Sequence, residues 1–515
     1  MPFDAWGGRV RRIGIAFSVA AAASAAAIAQ QGTGTVPTGT SQAVAPAAAP
    51  KHWEIAPLLL VGKDVPDSPG KKVIDTGRLY AVDPETFAVW ARVGEWPEVW
   101  ILLGVRQGRV ETIGVENTEG GSSAGKEGVL ALARQGPGLG SRLGLSVVGG
   151  QGLVYLQEKS AKEVPSGGRN PIYGWDGRGL RRLLGPGDEI SFGGTAYRCA
   201  SVTLGNANAS GTVLITIETS QPSKGFGLAL HDAKGLRGVV TKDQPVPGRP
   251  EARLKDYALS CRAVSIEEAV LADDGTVVLV AYLDDREGTK KGIYAVMEND
   301  TRKLIAAGDP CPAEPDSKVR SCQFRVIEAQ SATRVVASFS CGGPKSFLWN
   351  GKGWIAVNSG PLTVAQAVIL TPDAPWVFWQ GSSDREEKRG GETLTLHAEG
   401  CGLFDGDISR DIRAQGNMPT GYELVPAGGE FSGVILQYGW GVQGLEDRFI
   451  DARAPEKGHQ PVPSYRTLQG PVIPLSDVLA WTTPRSALAA VRPTTQGGER
   501  TPAGIYLMTA KQATP

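Results

Sequence analysis

From residue 51 onward the chain is built of apolar, β-prone runs separated by polar turns, and the runs return in one fixed order. Three stretches show the order most clearly: QGLVYLQEKSAKEVPSGGRNPIYGWDGRGLRRLLGPGD (151–188), SGTVLITIETSQPSKGFGLALHDAKGLRGVVTKDQPVP (210–247) and DGTVVLVAYLDDREGTKKGIYAVMENDTRKLIAAGDPCP (274–312). Each reads as an apolar run, a polar turn, a second run opening near glycine, another turn, a third run ending in leucine or valine, and a G/K-D-x-P tail. Weaker copies begin near Phe87, Val335, Trp376, Val434 and Ala487, so eight starts span 400 residues in seven steps, a mean of about 57. A further β-prone stretch lies between copies, for example YRCASVTL or CQFRVIEA, which makes about four strands per unit. Four-stranded units at this period predict an all-β, single β-propeller of seven or eight blades over residues 51–515.

The ends of the chain predict how the ring closes. The last copy, RSALAAVRPTTQGGERTPAGIYLMTA, stops after its GIY strand and lacks a fourth strand and tail. The missing piece stands at the other end, where LLLVGKDVP (58–66) matches the tails GVVTKDQPVP and LIAAGDPCP. Residues 55–66 are therefore expected to supply the outer strand of the blade built by the C-terminus, leaving no sheet edge between the chain ends.

The unit DGTVVLVAYLDDREGTKKGIYAVMENDTRKLIAAGDPCP resembles the propeller repeats of TolB-type periplasmic proteins, in which D-G, an apolar run, I-Y-x-M and a final leucine recur. Its G-D-P-x-P ending is more similar still to a group of exported bacterial propellers. The good match covers residues 151–312. The resemblance implies an envelope or extracellular interaction module and brings no catalytic residues with it. Unlike TolB, the chain shows no separate α/β domain ahead of the propeller, so that protein's partners do not carry over.

The first 29 residues agree with an exported protein. Arg9, Arg11 and Arg12 precede an alanine-rich apolar run from Ile13 to Ala29 that ends in an A-x-A site, the pattern of a cleaved signal peptide. Residues 30–50, QGTGTVPTGTSQAVAPAAAP after Gln30, have nothing to bury and read as a disordered leader. No later stretch reaches the roughly 18 apolar residues of a spanning helix. The expected place is the periplasm or the medium, with no stable membrane insertion of the mature chain.

In such a compartment the six cysteines point to disulfides rather than metal, since no C-x-x-C occurs and no histidine lies near a cysteine. Cys199, Cys261 and Cys322 stand at like places in successive units, which normally lie too far apart to pair unless they are close to the axis. Cys311 takes the place of Val246 and Ile190 in neighbouring copies, eleven residues before Cys322. The expected disulfide is Cys311–Cys322, with Cys199–Cys261 and Cys341–Cys401 as the simplest completion.

Charge names no partner: 53 basic and 53 acidic residues remove the field a nucleic-acid binder uses. Candidate chemistry is thin. GGSSAGKE (120–127) has the glycines and lysine of a phosphate loop and a G-x-S-x-G around Ser123, but Glu127 stands where Mg²⁺ needs a hydroxyl. FDGDISRDI (404–412) spaces Asp405, Asp407, Ser409 and Asp411 as a calcium loop does, yet Arg410 replaces the turn glycine. His52, His231, His397 and His459 are scattered. Asp284, Asp285 and Glu287, and Asp384, Glu386 and Glu387, lie in charged hairpin turns. The twelve tryptophans are expected mainly between blades, with sugar stacking as the other use. The expected role is a non-catalytic interaction or scaffold module without cofactor or metal, binding another envelope or extracellular protein, with glycan as the second candidate ligand. The alternative is a carbohydrate-active hydrolase or lyase whose carboxylates converge in the funnel.

Overall fold

The computed structural model describes residues 52–511 without 66–67, 84–85, 95–98, 108, 118–129, 134–144, 151–152, 159–170, 209, 223, 243, 256, 260–261, 265, 322, 342–343, 358–362, 370–376, 390–391, 405–408, 412–418, 420, 426–432, 439–445, 452, 466–472, 476–477, 484–485 and 492–502. The signal-peptide and leader expectations for 1–29 and 30–50 fall outside the described residues.

Those residues form eight antiparallel units of four strands, numbered here in chain order. Blade 1 is Ser68–Asp83, Thr86–Val93, Val99–Arg106 and Arg109–Asn117; blade 2 is Leu145–Gly150, Leu153–Glu158, Ile172–Trp175 and Leu180–Leu184. Blade 3 is Thr195–Ala207, Val213–Gln221, Gly225–Asp232 and Gly235–Thr241; blade 4 is Ile266–Leu271, Val277–Asp285, Gly288–Val296 and Thr301–Ala306. Blade 5 is Arg325–Ser331, Arg334–Ser340, Pro344–Trp349 and Trp354–Ala356; blade 6 is Thr363–Ile369, Val377–Arg389, Glu392–Phe404 and Ser409–Asp411. Blade 7 is Gly421–Val425, Gly433–Gln437, Arg448–Asp451 and Gln460–Pro461. Blade 8 is Val478–Thr483, Ser486–Val491 and Gly504–Lys511, with His52–Leu60 as its outer strand. The eight repeat starts read from the sequence all fall at the second strand of a blade.

The sheets form a closed ring. Eight hydrophobic clusters join the blades in succession, one at each interface from 1–2 to 7–8, and a last one joins blade 8 to blade 1 through Leu59, Leu488 and Ile505 against Val73, Phe87 and Val89. This packing explains why the second and third strands read as unbroken apolar runs. Both of their faces are covered by neighbouring blades, so VVLVAYL in Val277–Asp285 is buried at every position, whereas the outer strand Leu180–Leu184 is largely exposed. The chain is a β-propeller.

Closure follows the expected permutation with a shifted boundary. His52–Leu60 pairs antiparallel with Gly504–Lys511, from His52↔Lys511 to Leu60↔Gly504. The remainder of the tail, Asp64–Val65, does not belong to that strand; it folds back on Ser68–Asp83 as a small hairpin. The same hairpin recurs as Glu189–Phe192 on Thr195–Ala207, Pro245–Val246 on Arg249–Leu254 and Pro310–Cys311 on Glu314–Lys318. A glycine at positive φ begins the turn in three copies, Gly62, Gly187 and Gly308. Its N–H donates to the carbonyl of Val73, Cys199 or Val319, whose own N–H donates to Lys63, Asp188 or Asp309. The G-D-x-P tail is thus the entry to a blade-to-blade hairpin.

Candidate binding rim and channel

In a ring of four-stranded meanders, the connections from an outer strand to the next inner strand and those from second to third strands share one rim. Connections from first to second and from third to fourth strands share the other. The two rims of this propeller differ. In blades 3–5 the second rim is made of short turns tied by their own side chains. Asn208 accepts from the N–H of Thr212, Asp232 from Lys234, Asp274 from Thr276, and Asn350 from Lys352 and Gly353, at 2.8–3.0 Å.

The first rim carries the repeated hairpins, a second small hairpin of Tyr257–Leu259 with Arg262–Val264, and another of Ser464–Tyr465 with Ile473–Pro474. The 13-residue strands of blade 6 also turn back on this rim, at 390–391. The repeated hairpins are fastened to the blade they enter. At blade 4, Arg249 Nη2 meets Asp285 Oδ2 at 2.7 Å, and Asp285 also accepts from the N–H of Glu287 at 2.8 Å. Burial works to raise the Asp285 carboxyl, but the Glu287 N–H and the Arg249 guanidinium outweigh it and hold it below the ordinary range. Around the same hairpin, Lys255 lies 3.9 Å from Asp284, and Lys290 lies 2.7 Å from Glu287.

At blade 5 a covalent bond does the same work. Cys311 is joined to Cys341, with Cα atoms 5.7 Å apart, and Lys345 pairs with Glu314 beside it. This corrects the expected Cys311–Cys322 bond; Cys322 itself lies outside the described residues. Placing Cys311 with Val246 holds, because both oppose the first residue of the hairpin's second strand, Glu314 or Arg249, as Val65 opposes Ser68. All three are buried, at 1%, 2% and 0% exposure, so the hairpin turns this position inward onto the next blade. The end of that blade's second strand, where Cys341 follows Ser340, is what it meets. The expected Cys341–Cys401 bond is overturned as well. Cys199 is a buried thiol rather than half of a disulfide with Cys261, and burial raises it to about 11.

Polar side chains stitch each blade to the inner strand of the next or its turn. Gln157 of blade 2 donates to Val202 O and accepts from Leu204 N of blade 3, both at 2.8 Å. Asn206 does the same to Leu271 of blade 4, at 2.8 and 3.0 Å. Glu268 of blade 4 accepts from Val326 N of blade 5 at 2.7 Å, and Asp274 accepts from Ala332 N at 2.9 Å. Inner strands of successive blades lie side by side around the axis, and these side chains satisfy backbone groups that no ladder joins between blades.

Glu328 departs from this pattern. It sits on the inner strand of blade 5 opposite Val336, on the face toward blade 6. It keeps part of its surface accessible yet is closed in by protein, and desolvation, with the Asp273 charge second, pushes its carboxyl up to about 8. No sequence motif marks it.

The other candidates resolve unevenly. GGSSAGKE, Asp405 and Asp407 lie outside the described residues, while Ser409–Asp411 is the outer strand of blade 6. His231 faces blade 2, where its Nδ1 lies 2.7 Å from the Tyr155 hydroxyl; burial, then Arg181, lowers its pKa. Trp53, Trp90, Trp175 and Trp379 are buried between blades, and Trp354 donates to Leu304 O across the blade 4–5 interface at 2.9 Å. Trp175 lies on Gly104 of blade 1, where any Cβ would meet its ring, and donates to Glu111. Among the described residues no group of three potential metal ligands converges, and no helix is long and apolar enough to cross a membrane.

No family model and no curated protein matches the chain. Among solved structures it is similar to the β-propeller domain of the Trilobed protease from Pyrococcus furiosus, at 9% identity and a TM-score of 0.35, over 73% of this chain and 95% of that one. It is also similar to the GH93 α-L-arabinofuranosidase of Fusarium graminearum in complex with arabinobiose, at 13% identity and a TM-score of 0.22, over 69% and 88% of the two chains. Trypanosoma rangeli sialidase in complex with sialic acid matches at 10% identity and 0.25, over 90% and 93%. These proteins bring no site residue to this chain.

Proposed function

We propose that the protein is an exported interaction module that docks another envelope or extracellular protein on the hairpin-bearing rim of its propeller. The observation that carries this reading is the difference between the rims. In blades 3–5 one ends in short turns; the other bears repeated hairpins, each an excursion the ring itself does not need, and pins two of them through Arg249–Asp285 and Cys311–Cys341. Preorganised loops on a rigid scaffold present a large surface at low ordering cost, which suits macromolecular recognition. Export rests on the N-terminal sequence, and the disulfide is compatible with an oxidising compartment. The TolB-type resemblance of the repeats belongs to the same proposal.

The test is chemical cross-linking of the mature chain in its native envelope or culture medium, followed by mass spectrometry. One recurrent protein partner, linked through residues of the hairpin rim, is the expected result. Capture of no protein, or links confined to the short-turn rim, overturns it. The carbohydrate-active alternative requires converging carboxylates in the channel, and Glu328 is one enclosed carboxyl on an inner strand.

A further inference from the structure

On the rim opposite the repeated hairpins, the turn of blade 1 sets two arginines face to face. Arg106 ends the third strand, Arg109 opens the outer strand, and the two oppose each other directly. Directly opposed residues of an antiparallel pair hold their Cβ atoms about 5 Å apart, and like charges there destabilise the pair. Neither arginine has a carboxylate partner among the described residues, although other bases of outer strands do: Arg182 lies 2.9 Å from Asp188, and Lys303 lies 3.0 Å from Asp309. Glu111, two residues beyond Arg109 on the same face, accepts from Trp175 Nε1 instead. An opposed cationic pair without a carboxylate of its own is an arrangement that a ligand anion relieves.

Two more guanidiniums continue the pair across blade 2. The Arg106 stem lies on the 176–179 turn of that blade, so close to Gly177 that any Cβ there would collide with it. Arg178 stands next in that turn, fully exposed, while Asp176 Oδ1 accepts from the Arg178 N–H at 2.9 Å. Arg181 lies beyond the turn, opposite Gly174, which in turn opposes Tyr155. Tyr155 belongs to the cluster between blades 2 and 3, so Arg181 is on the face toward blade 3, whereas Leu180 packs toward blade 1. Arg181 is exposed and shows no ion pair to a described residue. The four guanidiniums thus form a strip that runs from the seam between blades 1 and 2, over the blade 2 turn, to the seam between blades 2 and 3. Gln107, exposed in the turn between Arg106 and Arg109, adds a neutral amide at the start of the strip.

A guanidinium fork matches the two oxygens of a carboxylate, so a strip of forks fits a chain that bears carboxylates at intervals. The even balance of 53 basic and 53 acidic residues supplies no broad positive field, which nucleic acid or an anionic bilayer would call on. A polymer of single, spaced carboxylates needs only local pairing. An acidic peptide fits less well, because an extended peptide gains its main-chain hydrogen bonds at a sheet edge, and this rim offers strand ends. The Gln107 amide, both donor and acceptor, suits hydroxyls between the carboxylates. We propose that Arg106, Arg109, Arg178 and Arg181 bind an acidic polysaccharide, a polyuronate, across blade 2 on the rim opposite the hairpins. This site is independent of the protein-docking rim.

The test titrates the full mature chain with polygalacturonate by calorimetry at neutral pH and low salt, with dextran, poly-L-glutamate and phosphatidylglycerol vesicles as contrasts. Polygalacturonate is expected to bind saturably and more tightly than any contrast, and to weaken severalfold as sodium chloride rises from about 50 to about 200 mM. The double variant Arg106→Gln/Arg178→Gln should bind at least about tenfold more weakly, the loss of two charge-assisted pairs. Arg302→Gln/Lys352→Gln removes the same charge from the same rim at blades 4 and 5, and should stay within about twofold of the parent. The proposal falls if polygalacturonate does not bind, if a contrast binds as tightly, if Arg106→Gln/Arg178→Gln binds like the parent, or if the blade 4 and 5 variant weakens binding as much. Circular dichroism matching the parent's accompanies each variant. Arg178→Gln alone, in an exposed turn and expected to bind about threefold more weakly, decides the matter if the double variant does not fold.

Discussion

Replacing Gln157 with leucine isolates the stitching between blades. The side chain is 4% exposed, and its amide holds Val202 O and Leu204 N of the next blade at 2.8 Å each. Leucine has nearly the same volume, so packing is largely kept while both backbone groups lose their partner. Each buried group left unsatisfied costs about 1–3 kcal/mol. Extra apolar burial returns about 1 kcal/mol, leaving a net loss of about 1–5 kcal/mol. A ring of repeats need not unfold in one step, so the readout should be local as well as global. Hydrogen exchange of the peptide containing Leu204 is predicted to speed up about fivefold or more, the equivalent of about 1 kcal/mol, while blades 6 and 7 stay unchanged. Exchange at Leu204 within a factor of two of the parent, with an unshifted denaturation midpoint, would refute the view that side-chain clamps hold successive blades.

Peptide mapping without reduction should recover Cys311 linked to Cys341; the double variant Cys311→Val/Cys341→Val should fold, because valine fills the same place at Val65 and Val246, but lose about 3 kcal/mol for a 30-residue loop. Arg249→Ala should cost about 1 kcal/mol in urea denaturation at pH 7. Because the Asp285 carboxyl is held low, that contribution is present above the ordinary carboxylate pKa and disappears as pH falls through the lower folded value, so parent and variant should converge only below the ordinary carboxylate range. Gly504→Val places a side chain against the carbonyl of Leu59 in the closing strand pair and should cost more than 2 kcal/mol, read as a lowered thermal midpoint. Glu328 has the opposite sign to Asp285: its raised pKa stabilises the fold at low pH and the benefit is lost as pH rises through about 8. Glu328→Gln should therefore match the parent near pH 5 and exceed it in stability at pH 9.

What the sequence showed and hid follows from how local each feature is. Second strands are buried on both faces, so their apolar runs marked all eight blades, even the degenerate copies at Val335 and Val434. The closing strand was legible because its tail copies the others, although the boundary lay at Leu60, where the tail turns into a hairpin. That hairpin was not legible, since a tail of two short strands carries no apolar run of its own. It also misdirected the disulfide. Nearness in sequence favoured Cys322, whereas the inward-turned hairpin position brings Cys311 to the end of a strand 30 residues on. Gln157, Asn206 and Glu268 look like ordinary strand residues until two blades are set side by side. Glu328 is hidden for the same reason. Its identity is unremarkable, and only its position at the axial edge of the blade 5–6 interface gives it an unusual carboxyl.

The docking rim is tested most directly by a photo-reactive amino acid placed at one exposed position at a time in the full chain, expressed in its native cell and irradiated there. Glu251 and Asp316 report on the hairpin rim, and Lys234 and Thr333 on the short-turn rim. The account predicts that Glu251 and Asp316 capture the same protein while Lys234 and Thr333 do not. Capture of that protein from the short-turn rim, or from neither rim, would contradict it.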